Sequence, residues 1–492
     1  MNRLICFVVA LSGLLLSSCG GGGGTSDVAS SVAASQVPAT IIVAPSASLT
    51  LPITLIGPSG YPGEAANCSV ATQKRWLDDY MSDQYFWSTS RPLANASAAT
   101  VDDYFQSQLF VPTDRYSYSQ ELAAFTQFFV EGTRTGYGYS LAFADGSQGR
   151  LQVRTVEPLG PAAAAGLQRG DTVLSIDGFS PANIVNGSLT TVVTAGIRRV
   201  FNIENSVGER RTVTMVSRNF LLSPVLTDKV LTAANGAKVG YLVYQEFTDL
   251  SLPALGAAFN RFRSAGVSEL IVDLRYNGGG SVTVARALAS MIGGTALEGK
   301  TFASIRFNAQ NNASDFDYPF TASLEFLPAA PLEGLTKVVF ITSPNTASAS
   351  ELVINALFPF KKVVTIGAST FGKPYGFQPR SSCDTVFNAV NFETFNALGA
   401  GRFSSGLPAT CSVSDDLSKA LGDPAERRTA AALGYIQTNA CPASSDAAGR
   451  DLQARSRDTP PFSNRLATTS AERPRPSEPA FGEVRQPGMF ID

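Results

Sequence analysis

The sequence predicts a multidomain protein of mixed α/β and α+β class, with a helical N-terminal segment, a β-rich unit and an α/β core. Three observations predict it. The 492 residues exceed what one hydrophobic core usually holds. Apolar residues recur at helical spacing in part of segment 67–128, while strand-like runs separated by glycine-containing turns dominate segment 129–220. Buried-looking strands then alternate with helical stretches in segment 221–443.

The composition excludes several function classes. The formal net charge is only -2, so the chain offers no basic field that would hold nucleic acid. The chain contains no histidine, which excludes the Ser-His-Asp triad, the Cys-His dyad and every His-ligated zinc site. No metal site and no cofactor is implied. A hydrolase built from this sequence must therefore use another residue type as its general base.

The N-terminal segment indicates export and lipidation. Residues 1–18 have the short cationic start and apolar stretch of a secretory signal peptide. The run Leu16-Ser17-Ser18-Cys19 resembles the bacterial lipobox, and Gly20 after it resembles the outer-membrane sorting pattern of Gram-negative lipoproteins. Residues 19–66, rich in Gly, Ser, Ala and Pro, are predicted to be a flexible linker. The predicted location is the outer membrane, facing the periplasm, where a lipid on Cys19 would anchor the protein to the membrane.

Four cysteines remain in the mature part of the chain after Cys19, and an oxidising compartment favours two disulfides. The members are Cys68, Cys383, Cys411 and Cys441. Three pairings are possible, and loop proximity favours Cys383 with Cys411, which leaves Cys68 for Cys441. After the last cysteine the composition shifts to Ser, Arg, Pro and Ala, which predicts a disordered tail over 444–492.

Periodicity assigns elements within each unit. Aromatic and apolar residues from Trp76 to Trp87 recur every three or four positions, which predicts a helix whose aromatics pack on a neighbouring domain. Predicted strands are 138–143, 151–156, 172–176 and 211–216 in the second unit, with a short helix at 162–167. In the core they are 239–243, 269–274, 337–341 and 362–366, with helices at 252–265, 283–292 and 348–358.

Residues 161–178 of the second unit resemble the PDZ domains of bacterial proteases in both residue type and spacing. In that family a Gly-x-Gly turn before a strand offers backbone amides to the terminal carboxylate of a peptide, and Gly136-Tyr137-Gly138-Tyr139 fits this turn. The physical mechanism is strand addition at a sheet edge. The resemblance implies partners that are polypeptides with free C-termini.

Two strand-loop-helix junctions of the core bring small residues to a helix start, where free amides favour a negative charge. The first is Asp273–Ser281, with three consecutive glycines, and the second is Ser343–Leu352, with clustered hydroxyls. Without histidine, a serine nucleophile needs another base, and a lysine serves if burial lowers its pKa. Lys373, which follows an apolar strand, is the candidate.

These motifs, Asp273-Leu274-Arg275, Ala347-Ser348-Ala349-Ser350-Glu351 and Thr370-Phe371-Gly372-Lys373, resemble those of the tail-specific, or C-terminal processing, proteases. The resemblance implies a PDZ-like β domain and a crotonase/Clp-like α/β protease core. It also implies that Ser348 is the nucleophile and Lys373 the base. The family's glutamine four residues after the lysine is Phe377 here, and Gln378 comes one position later. Either Gln378 or Glu351 is then the residue that orients the lysine.

The function expected from these residues is a serine endopeptidase that cleaves periplasmic proteins or peptides. Amides of Ala349 and of Gly278 or Gly279 would hold the oxyanion. The alternative is a noncatalytic peptide-binding or scaffold lipoprotein that retains the fold, although such a protein would be expected to lose the Ser or the Lys.

Overall fold

The structure, a computed structural model, describes residues 65–143, 150–189, 192 and 194–443, together with the backbone of 488–490. All of these residues belong to one unit of the chain, within 51–492. The predicted signal peptide, the lipidation residue Cys19 and nearly all of the predicted linker lie outside the described residues.

The N-terminal region forms a helical layer on the core. The helix begins after Ser69, whose side chain accepts a hydrogen bond from the amide of Thr72. Trp76 and Tyr80 are buried in a cluster that includes Phe387 of the core, which confirms that these aromatics pack on a neighbouring region. The elements are α1 (Val70–Gln84), α2 (Val101–Gln106), β1 (Tyr118–Glu121), α3 (Leu122–Phe125) and a π-helical turn at Thr126–Val130.

The second region is an antiparallel sheet of five strands with its own apolar core. Its order is β3-β4-β5-β6-β7, so β3 is an edge strand, and β2 pairs separately with β8. The elements are β2 (Thr133–Gly136), β3 (Tyr139–Phe143), β4 (Leu151–Val156), α4 (Pro161–Ala164), β5 (Thr172–Ile176), α5 (Pro181–Val185), β6 (Arg198–Glu204), β7 (Arg210–Val216) and β8 (Arg218–Leu221).

The third region is an α/β core around a six-stranded sheet. Its elements begin with β9 (Val225–Thr232), β10 (Lys238–Tyr244), α6 (Leu252–Ser264), β11 (Glu269–Asp273), β12 (Gly279–Ser281), α7 (Val282–Gly293), β13 (Thr301–Phe307), β14 (Phe316–Pro319) and β15 (Lys337–Thr342). They continue with α8 (Ala349–Leu357), β16 (Lys362–Gly367), β17 (Tyr375–Gly376), β18 (Arg380–Ser382), β19 (Thr385–Asn388), β20 (Phe392–Phe395), β21 (Cys411–Ser412) and α9 (Arg427–Thr438). The strands and long helices predicted for this region lie within one residue of these bounds.

The main sheet has the order β21-β16-β15-β11-β10-β9, and all neighbours are parallel except β10 and β9. Helices α6, α7 and α8 contribute to the apolar cluster on one face, and α9 contributes to the cluster on the other. Two smaller sheets flank it, β14-β13-β20-β17 and β1-β19-β18. The second of these joins the N-terminal region to the core by pairing β1 with β19.

The predicted disulfide pairing is wrong, although two disulfides do form. Cys68 is joined to Cys383, and Cys411 is joined to Cys441. The turn between β18 and β19 holds Cys383 beside the start of α1, whereas β21 holds Cys411 in the main sheet near the end of α9. Closeness in sequence did not predict the partner of Cys383, because the turn that holds Cys383 and the strand that holds Cys411 belong to different sheets.

The predicted disordered tail, 444–492, contains one strand. Residues Gly488–Phe490 form β22, which pairs in parallel with β12. The prediction rested on the average composition of the tail, which is polar. An average over residues 444–492 does not reveal a three-residue segment that pairs with a strand of the core. The rest of the tail lies outside the described residues.

Helices long and apolar enough to span a bilayer do not occur among the residues that the structure describes.

Candidate active site

The three motifs meet because they follow three neighbouring parallel strands. The glycine loop follows β11, the serine loop follows β15, and the lysine loop follows β16, and these strands are adjacent in the order β16-β15-β11. The carboxyl ends of parallel strands lie at the same edge of a sheet, which is where open α/β folds bind ligands. The sheet therefore assembles segments that are far apart in the sequence.

Hydrogen bonds join the glycine loop to the serine loop. The hydroxyl of Thr346 donates to the carbonyl of Leu274 (2.8 Å), and the amide of Ala347 donates to the carbonyl of Asn277 (3.1 Å). The hydroxyl of Ser350 also donates to the Asn277 carbonyl, at 3.2 Å. Ser350 thus has a structural role, because its hydrogen bond connects the serine loop to the glycine loop.

Ser348 occupies the start of α8 in an unusual backbone conformation. Its φ is +62° and its ψ is -115°, a combination that non-glycine residues rarely adopt. Strained conformations of this kind cluster at functional sites. The Oγ of Ser348 is buried and has no hydrogen-bond partner among the described residues. The hydroxyl is therefore held at the helix start without being used as a helix cap.

The carboxylate of Glu351 ties the serine loop to the lysine loop. Its Oε2 accepts from the backbone amides of both Ser348 and Lys373, each at 2.8 Å. Its Oε1 accepts from the amide of Gly372 (2.7 Å) and from the hydroxyl of Thr370. Burial raises the pKa of this carboxyl, and the four hydrogen bonds oppose the rise. Glu351 thus positions the lysine through its backbone.

Lys373 is fully buried. Burial lowers the pKa of its amine from 10.5 to about 7, and the negative charges of Asp114 and Glu351 oppose that fall. Its Nζ lies 4.2 Å from the ring centroid of Phe377, the residue at the position where the family has glutamine. Gln378 is buried, and its backbone amide donates to Oδ1 of Asn391 at 2.6 Å. A lysine with this pKa is partly neutral at pH 7 and can accept a proton.

The N-terminal region contributes a residue, Asp114, whose negative charge acts on the Lys373 amine. Asp114 is buried, and its Oδ2 accepts from the hydroxyl of Tyr85 at 2.7 Å. Its Oδ1 accepts from the amides of Tyr116 and Ser117, each at 2.9 Å. The hydroxyl of Tyr116 in turn donates to the carbonyl of Gly372 at 2.8 Å. No local motif marks Asp114, because only the packing of this region on the lysine loop makes it relevant.

The glycine loop offers one of its two predicted oxyanion donors. The amide of Gly279 donates to Oδ1 of Asn277 at 2.8 Å and is therefore engaged within the loop. Gly278 is half-buried and remains the candidate donor from this loop. Ala349 is the first residue of α8, so its amide has no acceptor within the helix. The two candidate donors are thus Gly278 and Ala349.

The predicted carboxylate-binding turn lies beside the edge strand of the five-stranded sheet. Gly136 ends β2, and Tyr139 begins the edge strand β3. The carbonyl of Tyr137 accepts from the amide of Ala162 (2.8 Å), and the carbonyl of Gly138 accepts from that of Glu157 (2.9 Å). Gly138 has φ +75°, and a Cβ there would lie 3.0 Å from the Cα of Gly160. The turn is thus packed against the segment that begins α4.

Comparisons with known proteins find relatives of the segment that contains these three loops. Residues 238–393 match the model of Peptidase family S41. A chloroplastic C-terminal processing peptidase of Tetradesmus obliquus is 26% identical over 278 residues, which are 53% of this chain and 56% of that protein. A carboxyl-terminal-processing protease of Picosynechococcus sp. is 28% identical over 231 residues, 45% of this chain and 50% of that protein. The chain spans about half the length of the curated relatives it matches.

A solved structure from Bacteroides fragilis NCTC 9343, assigned to the S41 proteases, superposes with a TM-score of 0.63. It is 25% identical, and the match covers 78% of this chain and 99% of that one.

Proposed function

The chain belongs to the tail-specific, or C-terminal processing, protease family, and we propose that it is a serine endopeptidase with Ser348 as nucleophile and Lys373 as general base. One observation carries the proposal. The oxygen Oε2 of Glu351 accepts from the backbone amides of both residues at 2.8 Å, so one carboxylate joins the backbone of the serine to that of a buried lysine whose pKa is lowered to about 7.

In the proposed reaction, neutral Lys373 takes the proton of the Ser348 hydroxyl as Oγ attacks the carbonyl carbon of a peptide. The amides of Ala349 and Gly278 stabilise the resulting oxyanion. The tetrahedral intermediate collapses, the C–N bond breaks, and the lysine returns the proton to the leaving amine. Water then hydrolyses the acyl-enzyme with the lysine again acting as base.

The test is a pair of matched serine variants assayed for casein cleavage and fluorophosphonate labelling. Ser348→Ala should abolish both while costing less stability than the roughly 1 kcal/mol of a helix cap, because the Ser348 hydroxyl has no hydrogen-bond partner among the described residues. Ser350→Ala, two positions away, should keep measurable activity, since it removes only one hydrogen bond to Asn277. An active Ser348→Ala with an inactive Ser350→Ala would contradict the assignment. Absence of labelling in the wild type would favour the noncatalytic scaffold instead.

We also propose that the second region acts as a PDZ domain and that the core is of the crotonase/Clp-like type. The edge position of β3 supports the first point, because a peptide can add a strand there. The amides of the Gly136–Tyr139 turn would hold the terminal carboxylate. Calorimetry with the full-length Ser348→Ala protein should show that amidating the C-terminus of a peptide weakens binding by about 1.5–3 kcal/mol. Equal affinity of the free acid and the amide would contradict it.

The location proposed for the protein is the outer membrane, facing the periplasm, with a lipid on Cys19 as anchor. The lipobox resemblance of Leu16-Ser17-Ser18-Cys19 supports it. Replacing Cys19 by Ala should prevent lipid labelling and move the protein out of the membrane fraction. Unchanged labelling of that variant would contradict the proposal.

A further inference from the structure

A distant segment of the chain pairs with β12, the strand at the end of the glycine loop. Strand β22 pairs in parallel with β12, with Gly279 opposite Gly488, Gly280 opposite Met489 and Ser281 opposite Phe490. Its Cα atoms also come within 8 Å of those of β17, which begins two residues after Lys373. The segment therefore pairs with the end of the glycine loop and lies near the residues that follow Lys373.

The edge that β22 meets is made of main-chain groups. On one side of β12, the amide of Phe247 donates to the carbonyl of Gly279 (3.0 Å), and the amide of Ser281 donates to the carbonyl of Phe247 (2.8 Å). Because the bonding direction alternates along a strand, the N–H and C=O of Gly280 face the opposite side. In a parallel pair with this register, their partners are the carbonyl of residue 488 and the amide of residue 490.

Gly280 cannot carry a side chain in this position. Its φ is +135°, and a Cβ would lie 2.1 Å from the carbonyl oxygen of Phe247. The edge therefore presents the backbone alone at this residue, and binding there depends on main-chain hydrogen bonds. Strand addition of this kind accepts peptides of many sequences.

We propose that β12 is the strand-addition edge for the peptide to be cleaved, and that the chain's own segment 488–490 occupies this edge and competes with substrate. The inference rests on the proposed function, because competition requires that substrate bind at the same edge. Residues 444–487 connect the segment to the core, and covalent connection makes its binding intramolecular. A low intrinsic affinity is then enough for substantial occupancy.

The first test compares two deletions of equal size in the full-length protein. One variant ends after Pro487 and lacks β22, and its control lacks residues 470–474 but keeps β22. Taking a local concentration on the order of 1 mM and a segment Kd of roughly 0.1–0.5 mM, the KM for a peptide substrate should fall about threefold to tenfold in the first variant. The kcat should stay the same, and the control should match the wild type. An unchanged KM in the variant that ends after Pro487 would overturn the proposal.

The second test measures binding without activity, in the Ser348→Ala background. A synthetic peptide of residues 484–492 should bind the protein that ends after Pro487, and it should bind at least about threefold more weakly to the full-length protein, whose edge is already occupied. Methylating the amide nitrogen of residue 490 in the peptide should weaken binding, since it removes the donor to Gly280. Equal binding to both proteins, or no binding to the shortened one, would overturn the proposal.

The activity and binding experiments distinguish failure of the proposed protease function from failure of the proposed competition by segment 488–490. Failure of every protein to cleave any substrate would count against the proposed function, while the binding experiment would still decide whether the segment docks. Mass spectrometry provides the last check on the inhibitory role. Loss of residues after 487 from the wild type, with the Ser348→Ala chain intact, would identify the segment as a substrate and overturn its role as a competitor.

Discussion

Arg275 and Lys373 are both fully buried cations at the same edge of the main sheet, and their surroundings differ. Arg275 donates to Asp273 (2.9 Å), to Glu426 (2.9 Å) and to Asp415 (2.7 Å). Burial alone would lower the pKa of Arg275, but the three carboxylates outweigh it and raise the pKa well above its ordinary value. At Lys373 burial prevails over the charges of Asp114 and Glu351, and the pKa falls to about 7.

The comparison distinguishes a buried charge that stabilises the fold, on Arg275, from a buried amine that can act as a base, on Lys373. The paired guanidinium keeps its proton and holds β11, α9 and the loop carrying Asp415 together. The amine beside the ring of Phe377 can lose its proton near neutral pH. Both residues belong to motifs that resemble the same family, yet only one of them suits a general base.

The largest expected effect is on activity. Lys373→Arg should lower kcat/KM by about 100-fold to 10,000-fold, because a guanidinium cannot act as a base near neutral pH. The thermal unfolding midpoint of the same preparation provides the control for folding. Near wild-type activity in a folded Lys373→Arg variant would remove the lysine from the mechanism.

The next effect is on stability. Arg275→Met should lower the free energy of unfolding by about 3–5 kcal/mol, because it leaves the buried carboxylates of Asp273 and Glu426 without their cation. The matched control is Arg261→Met, which breaks the exposed pair with Asp228 and should cost less than about 1 kcal/mol. Equal losses in urea unfolding would show that burial does not distinguish the two pairs.

The pH dependence of activity tests the lowered pKa directly. Since the neutral amine is the active form, kcat/KM should rise about tenfold per pH unit below about pH 7 and level off above it. An acid limb centred near the ordinary lysine value of 10.5 would contradict the burial argument.

The smallest effect concerns Asp114. Its negative charge opposes the fall in the pKa of Lys373, so Asp114→Asn should move the acid limb to lower pH. The loss of charged acceptors for Tyr85, Tyr116 and Ser117 should cost about 1–3 kcal/mol of stability. A profile that keeps its midpoint while stability falls would assign Asp114 a purely structural part.

Local patterns predicted most elements of the core. The strands that precede the three loops are short, apolar runs, and their bounds follow from the side chains themselves. Strand β6 was missed because Arg198 and Arg199 lead into it, although Phe201 and Ile203 alternate inward as strand residues do. The resemblance to the tail-specific proteases, and not local periodicity, gave Ser348 and Lys373 as the catalytic residues, and that assignment stays a prediction.

The sequence by itself determined what short-range chemistry dictates: strand and helix bounds, the absence of a histidine base and the residue types in each loop. Only the tertiary structure decided which residues meet. It paired Cys68 with Cys383, brought Asp114 near Lys373 and laid Gly488–Phe490 along β12. These contacts join residues that are far apart in the sequence, and no local pattern around either residue identifies its partner. They depend on how strands and regions pack together, which the periodicity of apolar residues within one segment does not specify.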